Sequence, residues 1–407
     1  MSSISSPGTT LPRSAVFGGT GMLSVRAAFY LQASITLTFL AGSAAPTALY
    51  PLYEAAWGFS PIIVTLVFGI YALAVLAALL VAGRLSDHVG RRPVLIAAAA
   101  AQAVAMLVLG TANGVSGLLV GRVIQGLSTG AAVAAVGAGL LDLDRARGTI
   151  ANAIAPVTGT ALGALVGGLM VHYLPAPTHL VYALFGAVFV LQSIGVVLMP
   201  ETITPQAGAL ASLKPQFSVP PAVRTPLLLA VPMLVAAWAV AGFYGALAPA
   251  LVHGVFGFDA SLFGGLALGL LAAAGGTSVL LLHRVQALRM MGIGAAGLFL
   301  GMAGVLLGLW QHAAAWFFLG TTVAGLGFGA GFQGAIRSVV PFAAPHERAG
   351  VLSVAFVVSY LAMGVPAVVA GYFIHHGNGL LHTAFEFGAV VMGLAAAALL
   401  GALARPR

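Results

Sequence analysis

Cysteine is absent from all 407 residues, so the chain can form no disulfide, present no thiol nucleophile and build no cysteine metal site. Charge is nearly as scarce. Only 6% of residues are Asp, Glu, Lys or Arg, where a soluble domain carries about a quarter. Hydrophobic residues make up 60% of the chain. A chain this apolar cannot cover itself with a solvated surface, so lipid must be its solvent over most of its length. Several chemistries are also missing. There is no Gly-x-x-x-x-Gly-Lys-Ser/Thr loop to cradle a nucleotide phosphate and no His-Glu-x-x-His pair to hold zinc. No polar stretch is long enough to fold as an enzyme domain outside the membrane, and no metal or other cofactor is expected. The net charge of +8 does not point to nucleic acid, because the sixteen Lys and Arg are scattered in ones, twos and threes over short segments.

What remains is a series of apolar runs separated by short polar or Gly/Pro interruptions. The runs predict helices near 24–52, 61–83, 93–112, 116–141, 148–172 and 179–199, then near 227–253, 261–283, 290–310, 314–341, 348–374 and 380–404. At roughly 20 residues per crossing, this is an all-α membrane protein with twelve spans. Residues 1–22 are polar and lack the layout of a cleavable signal, and they read as a disordered cytoplasmic tail. Residues 200–226 hold Pro200, Pro205, Pro215, Pro220, Pro221 and Pro226 and read as a cytoplasmic linker. The division is then a six-helix bundle over 23–199 and a second over 227–407.

The basic residues test this layout. Arg84, Arg91 and Arg92 precede helix 3, and Arg145 and Arg147 precede helix 5. Lys214 and Arg224 fall in the linker, Arg284 and Arg289 before helix 9, and Arg348 before helix 11. Arg13 and Arg26 precede helix 1, and Arg405 and Arg407 end the chain. The alternate loops contain no Lys or Arg. Both termini are therefore expected in the cytoplasm of a cell whose inner membrane holds the protein. Histidine has the opposite bias: His172, His179, His253, His312, His375, His376 and His382 sit at the outer ends. There is also an internal repeat. Gly121, Gly126, Leu127, Gly130 and Ala131 in helix 4 match Gly320, Gly325, Leu326, Gly329 and Ala330 in helix 10 at one constant offset.

The strongest local motif is Gly83-Arg84-Leu85-Ser86-Asp87-His88-Val89-Gly90-Arg91-Arg92-Pro93 between helices 2 and 3. A glycine lets a second helix come close, and Asp87 suits the positive N-terminal end of a neighbouring helix. Arg91 and Arg92 can pair with an acid at the inner end of helix 4, where Asp142 and Asp144 stand. Helix 4 carries Arg122 well inside the membrane, a costly placement that marks a functional candidate. Gln125 shares its face. Helix 5 carries Gly159, Gly163, Gly167 and Gly168 at small-xxx-small spacing, which by itself means close helix packing.

The loop motif resembles the loop 2–3 signature of the major facilitator superfamily. Helix 4 resembles the arginine motif of that family, and helix 5 a degenerate form of its antiporter signature with Ala164 in place of proline. The resemblance implies a major facilitator fold of two pseudo-symmetric six-helix bundles, closest to the twelve-helix drug:proton antiporters. It further implies a latch made by Gly83, Asp87, Gly90, Arg91, Arg92 and Asp142, with Asp87 against helix 11 when the cytoplasmic side is closed. Helices 1, 4, 7 and 10 would line a cavity for a small apolar or amphipathic molecule. The residues this assigns to substrate or proton coupling are Arg122, Gln125, Gln32, Thr36, Glu54, Trp238, Tyr244, Phe332, Gln333 and Tyr360. The plainer reading of each is packing or bonding to neighbouring carbonyls. Proton-coupled efflux by a monomer is the first expectation, and uptake of a metabolite or organic anion with protons is the alternative. Drug:proton antiporters of this family often carry an acid within helix 1 or helix 4. This chain has only Glu54 at the rim.

Overall fold

The computed structural model describes residues 22–344 and 346–404, so the expected tail, all but its last residue, lies outside the described residues. Among the described residues there are twelve helices long and apolar enough to cross a membrane. They are α1 (Val25–Ala44), α2 (Pro61–Ala82), α3 (Arg91–Gly110), α4 (Val115–Leu143), α5 (Arg145–Tyr173) and α6 (Pro177–Val197). The second six are α7 (Pro221–Ala246), α8 (Ala260–Leu282), α9 (Ala287–Trp310), α10 (Ala314–Val339), α11 (Arg348–Phe373) and α12 (Leu380–Leu403). Every backbone donor and acceptor must be satisfied inside a segment that crosses lipid, which is why the apolar runs become helices.

Two boundaries differ from the sequence expectation. The helix α7 begins at Pro221 and runs through Pro226 and Pro232. Proline at the first helical position loses only an N–H that would have no partner there, and in a lipid-embedded helix neighbours make good the bonds lost at interior prolines. The proline-rich stretch is thus partly helix. The linker keeps one short helix, Ala209–Ser212, and docks on the loop between α2 and α3. There the Gln206 N–H donates to the His88 carbonyl at 2.8 Å. Second, α1 does not run straight to its end. It tightens to a 3-10 segment at Ala45–Leu49 and resumes as an α-helix over Tyr50–Trp57.

Buried side chains form two apolar clusters. One draws on α1 to α6, and the other on α7 to α12 together with Ala44 and Ala164. The glycine repeat is a repeat of packing. Gly126 and Gly130 of α4 lie against Tyr71, Ala74, Val75 and Ala78 of α2, and Gly325 and Gly329 of α10 lie against Leu271 and Gly275 of α8. Gly121 faces Leu109 of α3, and Gly320 faces Gly301 and Val305 of α9. The fourth helix of each half therefore meets the second and third of the same half, as two copies of one bundle would.

The halves meet along two seams. Gly371 of α11 lies beside Thr65 of α2, and Gly364 lies beside Gly69 and Ala72. Along the other seam, Gly168 of α5 adjoins Ser261, and Gly265, Gly269 and Gly276 of α8 adjoin Ala164, Leu165 and Val157. The α2–α11 contacts lie in the parts of those helices nearer the histidine-rich face, while the α5–α8 seam runs from that face past mid-membrane to Gly276 and Val157. At the arginine-rich face, no ion pair or side-chain hydrogen bond among the described residues joins the two halves.

Candidate functional site

The break in α1 creates the site. Pro46 has no N–H to give the carbonyl four residues back, so the Gly42 carbonyl is left without its helical donor. Gln125 Nε2 donates to that carbonyl at 2.9 Å. One residue on, the Ser43 carbonyl accepts from Arg122 Nη1 at 2.9 Å. The same nitrogen donates to Gln125 Oε1 at 2.7 Å, and Arg122 Nη2 donates to the Tyr50 hydroxyl. The guanidinium carbon sits 5.5 Å from the Tyr50 ring centre and 5.3 Å from that of Tyr71. Arg122 is 1% exposed and touches no carboxylate. Removing such a charge from water costs several kcal/mol. Hydrogen bonds to a charged group contribute about 1.5–3 kcal/mol each and a cation over an aromatic face about 0.5–2 kcal/mol, enough together to offset that cost. The sequence pointed to Arg122 and Gln125. It did not pair Tyr50 with them, although the proline four residues after Gly42 is the signal that α1 breaks there.

A second cluster comes from the other half. Trp238 of α7 packs edge-on to Phe332 of α10 with ring centres 5.5 Å apart, and its ring centre is 4.8 Å from that of Tyr360 on α11. The Trp238 indole N–H is buried and has no partner. Tyr360 lies one turn from Gly364, where an added Cβ would stand 3.7 Å from that of Ala72, the neighbour of Tyr71. The arginine cluster and the aromatic cluster thus adjoin across the seam between α2 and α11. Gln333 is half-buried next to Phe332.

Other expected residues lie elsewhere. Gln32 packs against Gly139 and donates to Met199 Sδ at 3.3 Å. Gly139 is roughly 25 Å along α4 from Arg122 at 1.5 Å per residue, so Gln32 serves the arginine-rich end. Thr36 is buried with no partner for its hydroxyl. Ser43 and Thr47 turn their hydroxyls back onto the carbonyls of Phe39 and Ala44, at 2.7 and 2.6 Å. Tyr244 is buried inside the second half, 2.7 Å from the Thr321 hydroxyl. Glu54 lines a cavity of about 620 Å³ at the histidine-rich end, together with Tyr50, His253 and Asp259. Tyr50 borders both this cavity and Arg122, so it stands between Glu54 and the guanidinium.

The loop between α2 and α3 closes on its own half. Arg91 Nε donates to Asp142 Oδ2 at 3.1 Å, while Nη1 reaches Ser86 at 2.7 Å and pairs with Asp87. Arg92 donates to the Val197 carbonyl. Asp87 is therefore not at the start of α11, and Gly83 has only Leu79 of its own helix beside it. The sequence reading missed Glu201, which completes the cluster. Its carboxylate accepts from the N–H groups of Arg91, Arg92 and Thr202 at 2.9, 3.0 and 2.9 Å, capping α3. Gly90, at φ +107°, admits that carboxylate where a side chain would collide with it. On α5 the glycines divide. Gly159, Gly163 and Gly167 abut the α1 backbone at Leu37, Ala41 and Ala45, and Gly168 abuts α8.

Comparison with known proteins gives a consistent result. The sequence profile described as Major Facilitator Superfamily matches residues 32–367. A stretch of 166 residues is 34% identical to the multidrug resistance protein MdtL of Klebsiella pneumoniae (strain 342), covering 37% of this chain and 41% of that protein. The match thus spans less than half the length of that relative. Among solved structures, an inward-facing, unoccupied bacterial homologue of the human lysosomal transporter Spinster superposes with a TM-score of 0.73 at 14% identity, covering 93% of this chain and 97% of the other. The nucleoside transporter NupG superposes with a TM-score of 0.71 at 13% identity, covering 93% and 100%. These structural likenesses establish the shared fold.

Proposed function

Since the chain belongs to the Major Facilitator Superfamily, we propose that it is a secondary transporter exporting a small amphipathic molecule by alternating access, with protons as the counter-flux. The observation that carries this is the pairing of a buried, carboxylate-free arginine cluster with an aromatic cluster across a seam that has no polar tie at the arginine-rich face among the described residues. The two halves rock about that seam. The arginine-rich face is cytoplasmic, with both termini on that side, because all the Lys and Arg of the loops lie there and Arg122 alone is inside the membrane. The arrangement described is then the state open to the cytoplasm. In the opposite state the Asp87 and Arg91 cluster would meet α11. Glu54 is the proton carrier in this reading, because it shares a cavity with Tyr50, the hydroxyl partner of Arg122, and, unlike Asp259 in the same cavity, it neither caps a helix nor pairs with a histidine. The protein acts as a monomer. The partial likeness to a multidrug resistance protein supports export.

Uptake together with protons is the second reading. What favours it is Ala164, which stands where the antiporter-like motif would carry proline and is fully buried at the contact with α8.

Everted vesicles with an acid interior and a pH-sensitive dye test the proposal. A transported compound is expected to dissipate the gradient when the protein is present, and to fail with Glu54→Gln. If a broad set of amphipathic compounds leaves the gradient intact while the protein is folded, antiport is wrong.

A further inference from the structure

The charge of the substrate follows from where the carboxylates are. All eight acids lie among the described residues. Asp87, Asp142, Asp144, Glu201 and Glu347 belong to the arginine-rich end, in loops or at helix termini. Glu54 and Asp259 face the cavity at the opposite end. Glu386 is half exposed on α12 and lies 3.1 Å from His382 Nε2. None of them reaches the arginine and aromatic clusters, so Arg122 is the one formal charge there, and a guanidinium does not give up its proton in proteins. Its partners are carbonyl, amide, hydroxyl and ring faces, which stabilise the cation without cancelling its charge. A buried charge acts over a longer range than Glu54 and Asp259 can, since those face solvent and are screened.

One further group at the same place wants an acceptor. The Trp238 indole N–H is buried and unpartnered, and an indole nitrogen can only donate. An ammonium has no lone pair to offer it, and the field of Arg122 opposes an ammonium. A carboxylate or similar acidic group supplies both the acceptor and the missing negative charge. The rings of Trp238, Phe332 and Tyr360 accept a flat apolar body by stacking.

From these observations we infer that the central site selects amphipathic organic monoanions, with neutral hydrogen-bond acceptors next and organic cations last. Arg122 sets the charge preference, and Trp238 Nε1 is the donor to the acidic group. This deepens the transport reading and rests on it only for the claim that the bound molecule is then moved.

The test uses the purified full chain in nanodiscs and three naphthalenes that differ in one substituent: carboxylate, hydroxymethyl or aminomethyl. Binding is followed by tryptophan fluorescence and by competition. The carboxylate is expected to bind on the order of tenfold tighter than the hydroxymethyl compound, and the ammonium on the order of tenfold weaker. Arg122→Gln is expected to collapse that spread and Arg122→Lys to keep part of it. Trp238→Phe, which keeps the stacking face and removes the donor, is expected to weaken the carboxylate more than the ammonium. Ammonium binding equal to or tighter than carboxylate overturns the inference, as does failure of all three to bind. If Arg122→Gln does not fold, the ranking in the unmodified protein still decides the matter. A carboxylate that binds as expected but crosses no proteoliposome membrane would leave the inference standing and defeat the transport reading. A cation that is both preferred and transported would do the reverse.

Discussion

His172 Nδ1 of α5 lies 3.6 Å from Asp259 Oδ2, the residue that caps α8. Among the described residues this is the only ion pair or side-chain hydrogen bond that links the first six helices to the last six. Everything else along the seam is apolar or backbone against small residues. One polar tie at the histidine-rich rim, over glycine-lined contacts, is a closure that can be undone without leaving buried charge behind.

Asp259→Asn separates the two jobs of that carboxylate. Asparagine still caps α8 through its oxygen, which now accepts from the Leu262 N–H at 2.7 Å, but loses the charge that faces His172. Exposed pairs are worth about 0–1 kcal/mol. The variant should shift the population away from the closed histidine-rich face by no more than about fivefold. The rate at which a cysteine pair cross-links that face reads this shift, and a change far above fivefold would mean that the pair does more than an exposed contact can.

The absence of cysteine makes that measurement clean. Ala72 and Gly364 face each other across the seam, with a Cβ separation of 3.7 Å if position 364 carried a side chain. Disulfides need Cβ atoms about 3.5–4.5 Å apart. The double variant Ala72→Cys with Gly364→Cys is expected to cross-link under mild oxidation and to stop transport until it is reduced. A folded variant that never cross-links would show that α2 and α11 do not meet there.

Glycines at the α1 and α5 contact differ sharply from those facing open space. A methyl group on Gly163 would strike the Ala41 backbone, whereas one on Gly393 meets nothing within 4 Å. Gly163→Ala should cost about 1–3 kcal/mol by overpacking. Gly393→Ala should be neutral or stabilise by up to about 1 kcal/mol through helix propensity. Thermal unfolding in detergent ranks the two, and equal melting temperatures would contradict the packing described.

The bond from Gln125 to Gly42 exists because Pro46 leaves a carbonyl free. Gln125→Leu should destabilise by about 1–3 kcal/mol, the cost of a buried group left unsatisfied. Pro46→Ala restores an N–H that can reach the same carbonyl. Combined with Gln125→Leu, it should recover part of that loss, giving a coupling of about 0.5–3 kcal/mol in a double-mutant cycle. Strict additivity would mean that the two residues do not share the Gly42 carbonyl.

Part of the site was legible in the sequence. Arg122 is conspicuous because a charge in an apolar helix is rare and costly. Trp238 and Phe332 stand out as aromatic side chains on helices the family resemblance assigns to the cavity, whereas Tyr360 reaches the same cluster from α11. Glu201 was not legible, since its role depends on a backbone 110 residues away, at Arg91. Tyr50 was not legible as an arginine partner, because the 3-10 segment rotates it off the regular helical wheel. Gln32 was assigned with Arg122 to the site, yet it faces Gly139, because α1 is long enough to touch different neighbours at its two ends.

The sequence alone determined the number of spans, the gathering of the basic loops at one end of the bundle and the match between α4 and α10. Hydropathy, basic loops and glycine spacing are properties of single segments, and lipid enforces each one separately. The tertiary structure alone decided which face of the molecule is shut, that Asp87 turns to Arg91 rather than to α11, and that the arginine and aromatic clusters adjoin. Those outcomes are contacts between residues far apart in the chain. The same helices can meet at either end, so no local pattern can choose between them.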